Sequence, residues 1–123
     1  MSNRDLIAKS MSEAELQANV IDAARKLGWR IAHFRPAKTE KGWRTPVEAD
    51  GKGFPDLVLA NGKTVVFAEL KSQKGRVEPE QWAWIDALMV GMQCQAFLWR
   101  PSDWMNGTIE SVLSILSVSE VKA

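Results

Sequence analysis

Cysteine and histidine are almost missing from this chain of 123 residues, which holds one of each. A lone Cys94 leaves no internal disulfide framework and no cysteine-based zinc site, and it fits a reducing cytosol. Set in an apolar strand pattern, it reads as a small buried hydrophobe. A lone His33 excludes paired-histidine catalysis and zinc sites that need several imidazoles. Any cutting of phosphodiesters would therefore fall to carboxylates and a hard metal. No apolar run approaches a membrane span, and the first residues lack a signal-peptide core, so a cytoplasmic protein is expected. Repeats and low-complexity tracts are also missing. With a net charge of +1, composition does not announce a nucleic-acid partner, and any electrostatic footprint must come from clustering. What remains is 46% hydrophobic, enough at this length for one core, and the expectation is a single domain over 1–123.

The chain is organised around the stretch from Gly51 to Lys71. Two apolar runs, about 55–60 and 64–71, flank Asn61-Gly62, a pair that tolerates the positive φ of a tight hairpin turn. With those two residues as the loop, Val58 faces Val65 and Asp56 faces Phe67. Alternation then puts Asp56, Phe67, Glu69 and Lys71 on one face and Leu57, Leu59, Val66, Ala68 and Leu70 on the other. Asp56 and Glu69 become diagonal neighbours, roughly 7–8 Å apart at the backbone. Two carboxylates so placed can both reach one hard cation. Strands this apolar on both faces are expected at the centre of a sheet, where charge must be paired or must hold a metal. A buried ion pair with Lys71 is the plain alternative, as is fraying that lets the charges reach water.

Ser12 reads as a helix cap with Glu15 completing a capping box, and the helix runs to about Leu27 before Gly28. Its inward stripe is Leu16, Val20, Ala23, Ala24 and Leu27. Glu13 lies along that stripe and Glu15 points away from it, so Glu13 is either a partner for the helix dipole or a further site carboxylate. Residues 1–11 are expected to form a loose arm or a short helix. Trp29–Arg35 alternates as a strand, with His33 more a strand residue than a ligand. Residues 36–53 show no period and are expected to form a long loop. From Arg30 to Lys52 the bases outnumber the acids by three, with Trp43 interleaved. A solvated loop would explain that excess. So would phosphate contact by Arg35, Lys38, Lys41, Arg44 and Lys52, the reading favoured beside a carboxylate site.

Beyond the hairpin, Ser72–Val77 is a basic turn carrying Lys74 and Arg76, which are counted with the loop residues as expected DNA contacts. Pro79 suits the first position of a helix reaching about Val90 before Gly91, with an apolar stripe of Trp82, Ile85, Leu88, Met89 and Met92. Gln81 falls at the edge of that stripe and needs a partner, whether a neighbour, a water or a substrate phosphate. Residues 93–100 form a last strand, Pro101-Ser-Asp103 starts a turn, and Thr108–Leu116 make a short amphipathic helix.

Gly53-Phe54-Pro55-Asp56 followed by Glu69-Leu70-Lys71 resembles the Pro-Asp…(Asp/Glu)-x-Lys pattern of the restriction-endonuclease-like nucleases. Phe67-Ala-Glu-Leu-Lys71, Lys74-Gly-Arg76 and Pro79-Glu-Gln81 narrow the resemblance to the virus-type replication-repair nuclease (VRR-NUC) domain in its small stand-alone form. The likeness spans about Ser12 to Pro101. It implies an α/β fold, a mixed sheet flanked by helices in the order α-β-β-β-α-β plus a C-terminal helix, with a core about 12–101 and residues 1–11 as a flexible arm. It also implies a metal-dependent endonuclease that nicks four-way DNA junctions as a homodimer, in the host cytosol if the source is viral. By the same resemblance Asp56, Glu69, Lys71, Glu13 and Gln81 form the catalytic set, and the Leu70 carbonyl joins Asp56, Glu69 and Glu13 around the metal. Magnesium suits such a site because it keeps several waters and takes only one or two carboxylates plus phosphate, with manganese as a substitute. Lys71 would orient the attacking water or stabilise the negative transition state. Competing readings are a flap or DNA-end nuclease, a nuclease subunit of a larger complex, and a DNA-binding module whose carboxylates are structural.

Overall fold

A computed structural model describes residues 1–34, 37–39, 42–44 and 49–117. Two capped helices open the chain, α1 (Asn3–Ser10) and α2 (Glu13–Lys26). Of the two expectations for the first residues, the short helix is the one observed. Each helix is closed by a reciprocal capping box, Ser2 with Asp5 and Ser12 with Glu15, so both starts are written in local sequence. The strands are β1 (Arg30–His33), β2 (Ala37–Thr39), β3 (Gly42–Arg44), β4 (Leu57–Ala60), β5 (Val65–Leu70) and β6 (Cys94–Trp99). Helix α3 (Pro79–Leu88) connects β5 to β6, and α4 (Pro101–Met105) and α5 (Thr108–Ser117) follow.

The main sheet has the order β1-β4-β5-β6, antiparallel across β1, β4 and β5 and parallel between β5 and β6. A parallel return needs a crossover, and α3 supplies it. The two most apolar strands, β4 and β5, are the central ones, as their sequences require. Leu57, Leu59, Val66, Ala68, Leu70 and Trp99 pack on one face against Leu16, Val20 and Ala24 of α2 and Ile109 and Leu113 of α5. Each fully buried aliphatic side chain there contributes about 1.5–3 kcal/mol. The opposite face carries Val58, Phe67 and Glu69 and is covered by α3. The mixed sheet between helices is the expected fold class.

Four local expectations need correction. First, the hairpin turns one residue later than Asn61-Gly62: Leu57 pairs with Ala68 and Ala60 with Val65. Asn61 Oδ1 accepts the amides of Lys63 and Thr64, and Asn61 N donates to Thr64 O at 3.3 Å, so Gly62 (φ +89°) and Lys63 occupy the bend. Second, the aperiodic stretch 36–53 contains paired strands, with Ala37 opposite Arg44 and Thr39 opposite Gly42. Third, α3 stops at Leu88, and its inward side is Gln81, Trp84, Ile85 and Leu88 rather than Trp82, Met89 and Met92. Trp82 is 44% exposed and Met92 72%. Fourth, Pro101 starts a helical turn whose cap, Arg100, is bonded through Asp103 Oδ2 to its own amide at 2.8 Å.

Candidate active site

Register decides which carboxylates meet. Continuing the β4–β5 pairing one step puts Asp56 directly opposite Glu69, instead of diagonal to it. Moving the turn by one residue moves the register by two, so facing is preserved and the two acids draw closer. Asp56 is fixed at both ends. Its backbone oxygen accepts from Phe34 N at 3.2 Å, and its Oδ2 accepts from Leu70 N at 2.9 Å. Lys71 follows, its amide paired to Trp99 O at 3.1 Å, so the strand that carries it is tied to β6.

Glu69 is 2% exposed. One carboxylate oxygen, Oε1, accepts from Gln81 Nε2 at 2.9 Å. The other, Oε2, is buried and no donor among the described residues reaches it; it can bond to Asp56 only when one of the two acids carries a proton. Burial first, then the charge of Asp56 and a hydrogen bond to it, push the Glu69 carboxyl up to about 9, with a smaller rise from Glu13 and an opposing pull from Lys71. Gln81 is held from behind, because its Oε1 accepts from Glu78 N at 2.8 Å in the capping box of α3. One glutamine thus closes the helix start and aims its amide at the buried acid.

Glu13, the first residue of α2, sits within the electric reach of the same group. Partial burial of its carboxyl, then the Asp56 charge, raises its proton affinity, and Lys71 lowers it. The residue as a whole remains exposed, so this shift concerns the carboxyl end alone. Glu15 instead spends its Oε1 on Ser12 N at 3.2 Å, as the capping reading required. His33 Nδ1 lies 3.5 Å from Gln17 Nε2, a contact of β1 with α2 rather than a ligand arrangement. No three of His, Cys, Asp and Glu converge as a ready-made metal cage among the described residues. The acidic centre is the pair Asp56 and Glu69, with Glu13 felt as charge.

The basic candidates scatter. Arg35 and Lys41 lie outside the described residues, and Lys38 and Arg44 fall on the backbone of β2 and β3. Lys52 pairs with Glu80 at 3.6 Å and Arg76 with Glu78 at 3.6 Å, both exposed. Lys74 lines a cleft of about 210 Å³ together with Lys9, Gln73 and Ser102.

Sequence reasoning missed the groups that position the site. Phe54 makes edge contacts with Phe34, Phe67 and Trp84, at centroid separations of 5.7, 5.8 and 5.0 Å. Trp84 Nε1 donates to Asp50 O at 3.0 Å, tying α3 to the segment before Asp56. Gly53 has φ +85°, and a Cβ there would lie 2.6 Å from the Glu80 carbonyl carbon and 2.8 Å from Gln81 N. The start of α3 can therefore sit against the Gly53-Phe54-Pro55-Asp56 segment only if residue 53 is glycine. Gly53→Ala is expected to destabilise by about 1–3 kcal/mol and to weaken activity further by displacing Gln81. Thermal melting and a cleavage assay check this, and a fully active, equally stable variant would refute the contact.

These residues bring two carboxyl groups together beside a lysine, with one acid oxygen facing no donor. The VRR-NUC domain description matches residues 2–96 of the chain, and comparison with curated proteins gave no match.

Proposed function

The chain belongs to the VRR-NUC family and carries a nuclease-type domain, and on that premise we propose that it hydrolyses DNA phosphodiesters with magnesium at the Asp56–Glu69–Lys71 cluster. One observation carries the reading above the others: a buried glutamate oxygen that no donor among the described residues reaches, facing a second carboxylate. A buried acid atom without a donor is costly, and a cation is the partner that suits it. The donor set fits a hard metal with Asp56, Glu69 and the Leu70 carbonyl as ligands and Glu13 completing the charge. Bound there, magnesium supplies a nucleophilic water and neutralises charge on the phosphate.

Each residue of the chain then has a task. The Leu70 amide occupies Asp56 Oδ2 and leaves Oδ1 for the cation. Gln81 occupies Glu69 Oε1 and leaves Oε2. In the absence of metal, Glu69 holds a proton between the two acids, which must leave before it can act as a ligand. Lys71 stabilises the negative charge that builds on the phosphate. A structural ion pair is a weaker account, because no carboxylate–lysine contact joins Lys71 to Asp56 or Glu69 among the described residues.

The proposed substrate is branched DNA, nicked symmetrically by a homodimer. A chain of 13.7 kDa offers one cluster, and paired cuts in two strands need two. Cleavage of labelled four-way junction, flap and linear duplex, together with sedimentation of the protein alone, tests this. Symmetric junction nicks by a dimer are expected, and a preference for flaps or ends by a monomer would replace it with the DNA-end reading. Glu13→Ala is expected to slow cleavage at least tenfold more than Glu15→Ala, which should mainly loosen α2 by about 0.5–2 kcal/mol. The reverse ranking in cleavage rate would remove Glu13 from the site.

A further inference from the structure

The turn that follows Lys71 is gripped from one side. Arg100 Nη1 donates to three of its carbonyl oxygens: Ser72 at 2.8 Å, Gln73 at 3.2 Å and Gly75 at 2.9 Å. Gln73 is locked a second time, its Oε1 accepting from Ser102 N at 2.9 Å and its Nε2 lying 3.1 Å from Ser102 Oγ. Arg100 is itself anchored, since it follows Trp99 at the end of β6 and its amide is bonded to Asp103.

A trans peptide unit points its C=O and the next N–H in opposite directions. Carbonyls of Ser72, Gln73 and Gly75 turned onto Arg100 therefore turn the amides of Gln73, Lys74 and Arg76 away from it. None of those three amides has an acceptor among the described residues, whereas Gly75 N is used internally, on Ser72 O at 3.1 Å. The guanidinium polarises each peptide it touches and strengthens the donor at the far end. Lys74 and Arg76 belong to the same segment, and the Arg76–Glu78 contact is a long, exposed pair that an anion can displace.

We propose that residues 72–76 form a phosphodiester clamp, in which the Gln73, Lys74 and Arg76 amides and the Lys74 and Arg76 side chains hold a backbone phosphate of the DNA strand near Lys71, with Arg100 as its positioning residue. Backbone amides left without acceptors, with flanking cations, are a standard means of holding phosphate. The clamp rests on the nuclease reading and adds to it a fixed contact beside the reacting position. Arg100 acts through the turn and does not touch the DNA.

The test is binding of a fluorescent duplex oligonucleotide in EDTA, where no cleavage occurs, over a range of salt. Lys74→Gln with Arg76→Gln is expected to lower the salt slope by about 2. Arg100→Lys keeps the charge but has a shorter side chain that cannot bring its nitrogen to the place where Nη1 meets the three carbonyls, and is expected to raise Kd about tenfold. Amide resonances of Gln73, Lys74 and Arg76 should move downfield in wild type as DNA is added, and should not move in Arg100→Lys. Folding of each variant is read from the same spectra. Wild-type binding and slope in both variants, alongside metal-dependent cleavage by wild type, would overturn the clamp and leave the nuclease standing. A wild-type protein that neither binds nor cleaves DNA would overturn both.

Discussion

Glu69→Gln is expected to lower cleavage by at least about a thousandfold while making the metal-free protein harder to melt at alkaline pH. Gln81 Nε2 already donates to one oxygen of Glu69, so a glutamine keeps its carbonyl there and turns its amide toward Asp56. The orphaned acid oxygen becomes a donor facing an acceptor, which removes a desolvation penalty and removes a ligand. A loss of several kcal/mol of transition-state stabilisation corresponds to about three powers of ten in rate. The stability part follows from linkage. Glu69 has an ordinary value of 4.5 and a folded value raised to about 9. A raised group contributes stability that is fully present below its unfolded value and is lost as pH rises toward its folded value. Wild type in EDTA should therefore lose melting temperature steadily from about pH 5 to pH 9 relative to Glu69→Gln, which cannot titrate there. A gap that stays constant with pH would mean that Glu69 is not held protonated.

Magnesium is expected to abolish that trend. Binding needs the ionised acid, so at pH 7 each ion should expel about one proton. Apparent affinity should then rise by close to tenfold per pH unit between about 7 and 9 and level off above. Calorimetric titration in two buffers of different ionisation enthalpy counts the protons directly. The melting temperature in saturating magnesium should stay nearly level over the range in which it falls in EDTA, so that the gap between the two widens with pH. Binding that releases no proton would place the ion somewhere other than the Asp56–Glu69 pair.

How much of this was legible in the chain depends on what kind of constraint each residue obeys. Asp56, Glu69 and Lys71 could be put on one face from alternation alone, because side-chain facing has a period of two and survives a two-step shift of register. The position of the turn was not legible to one residue. Asn61 bonds forward to Lys63 and Thr64 with its side chain, and a propensity for Asn-Gly does not distinguish a bend at 61–62 from one at 62–63. Glu15 was legible as a cap because a capping box is a local rule, while Glu13 stays exposed as a residue and meets the cluster only through charge and the partial burial of its carboxyl. The inward side of α3 was not legible. Its sequence is apolar nearly all round, and Phe54 and the Asp50 carbonyl select Trp84 over Trp82 from segments about thirty residues away. Arg100 escaped for the same reason, standing 25 to 28 residues from the carbonyls it gathers. Gln81 was visible as a polar residue lacking a partner, and the partner proved to be the site acid itself.

The central claim is that two facing carboxylates on β4 and β5 hold the ion that cuts DNA. Its most direct test is the hydrolysis rate of labelled DNA as EDTA is replaced by magnesium, for wild type and for Asp56→Asn. Asparagine retains an oxygen for the Leu70 amide, so the strand ends should stay in place while the charge is lost. The account predicts no hydrolysis in EDTA, a rate that saturates with magnesium in wild type, and no comparable rate in Asp56→Asn at any magnesium concentration. Cleavage that is indifferent to EDTA, or an Asp56→Asn protein as fast as wild type, would contradict it.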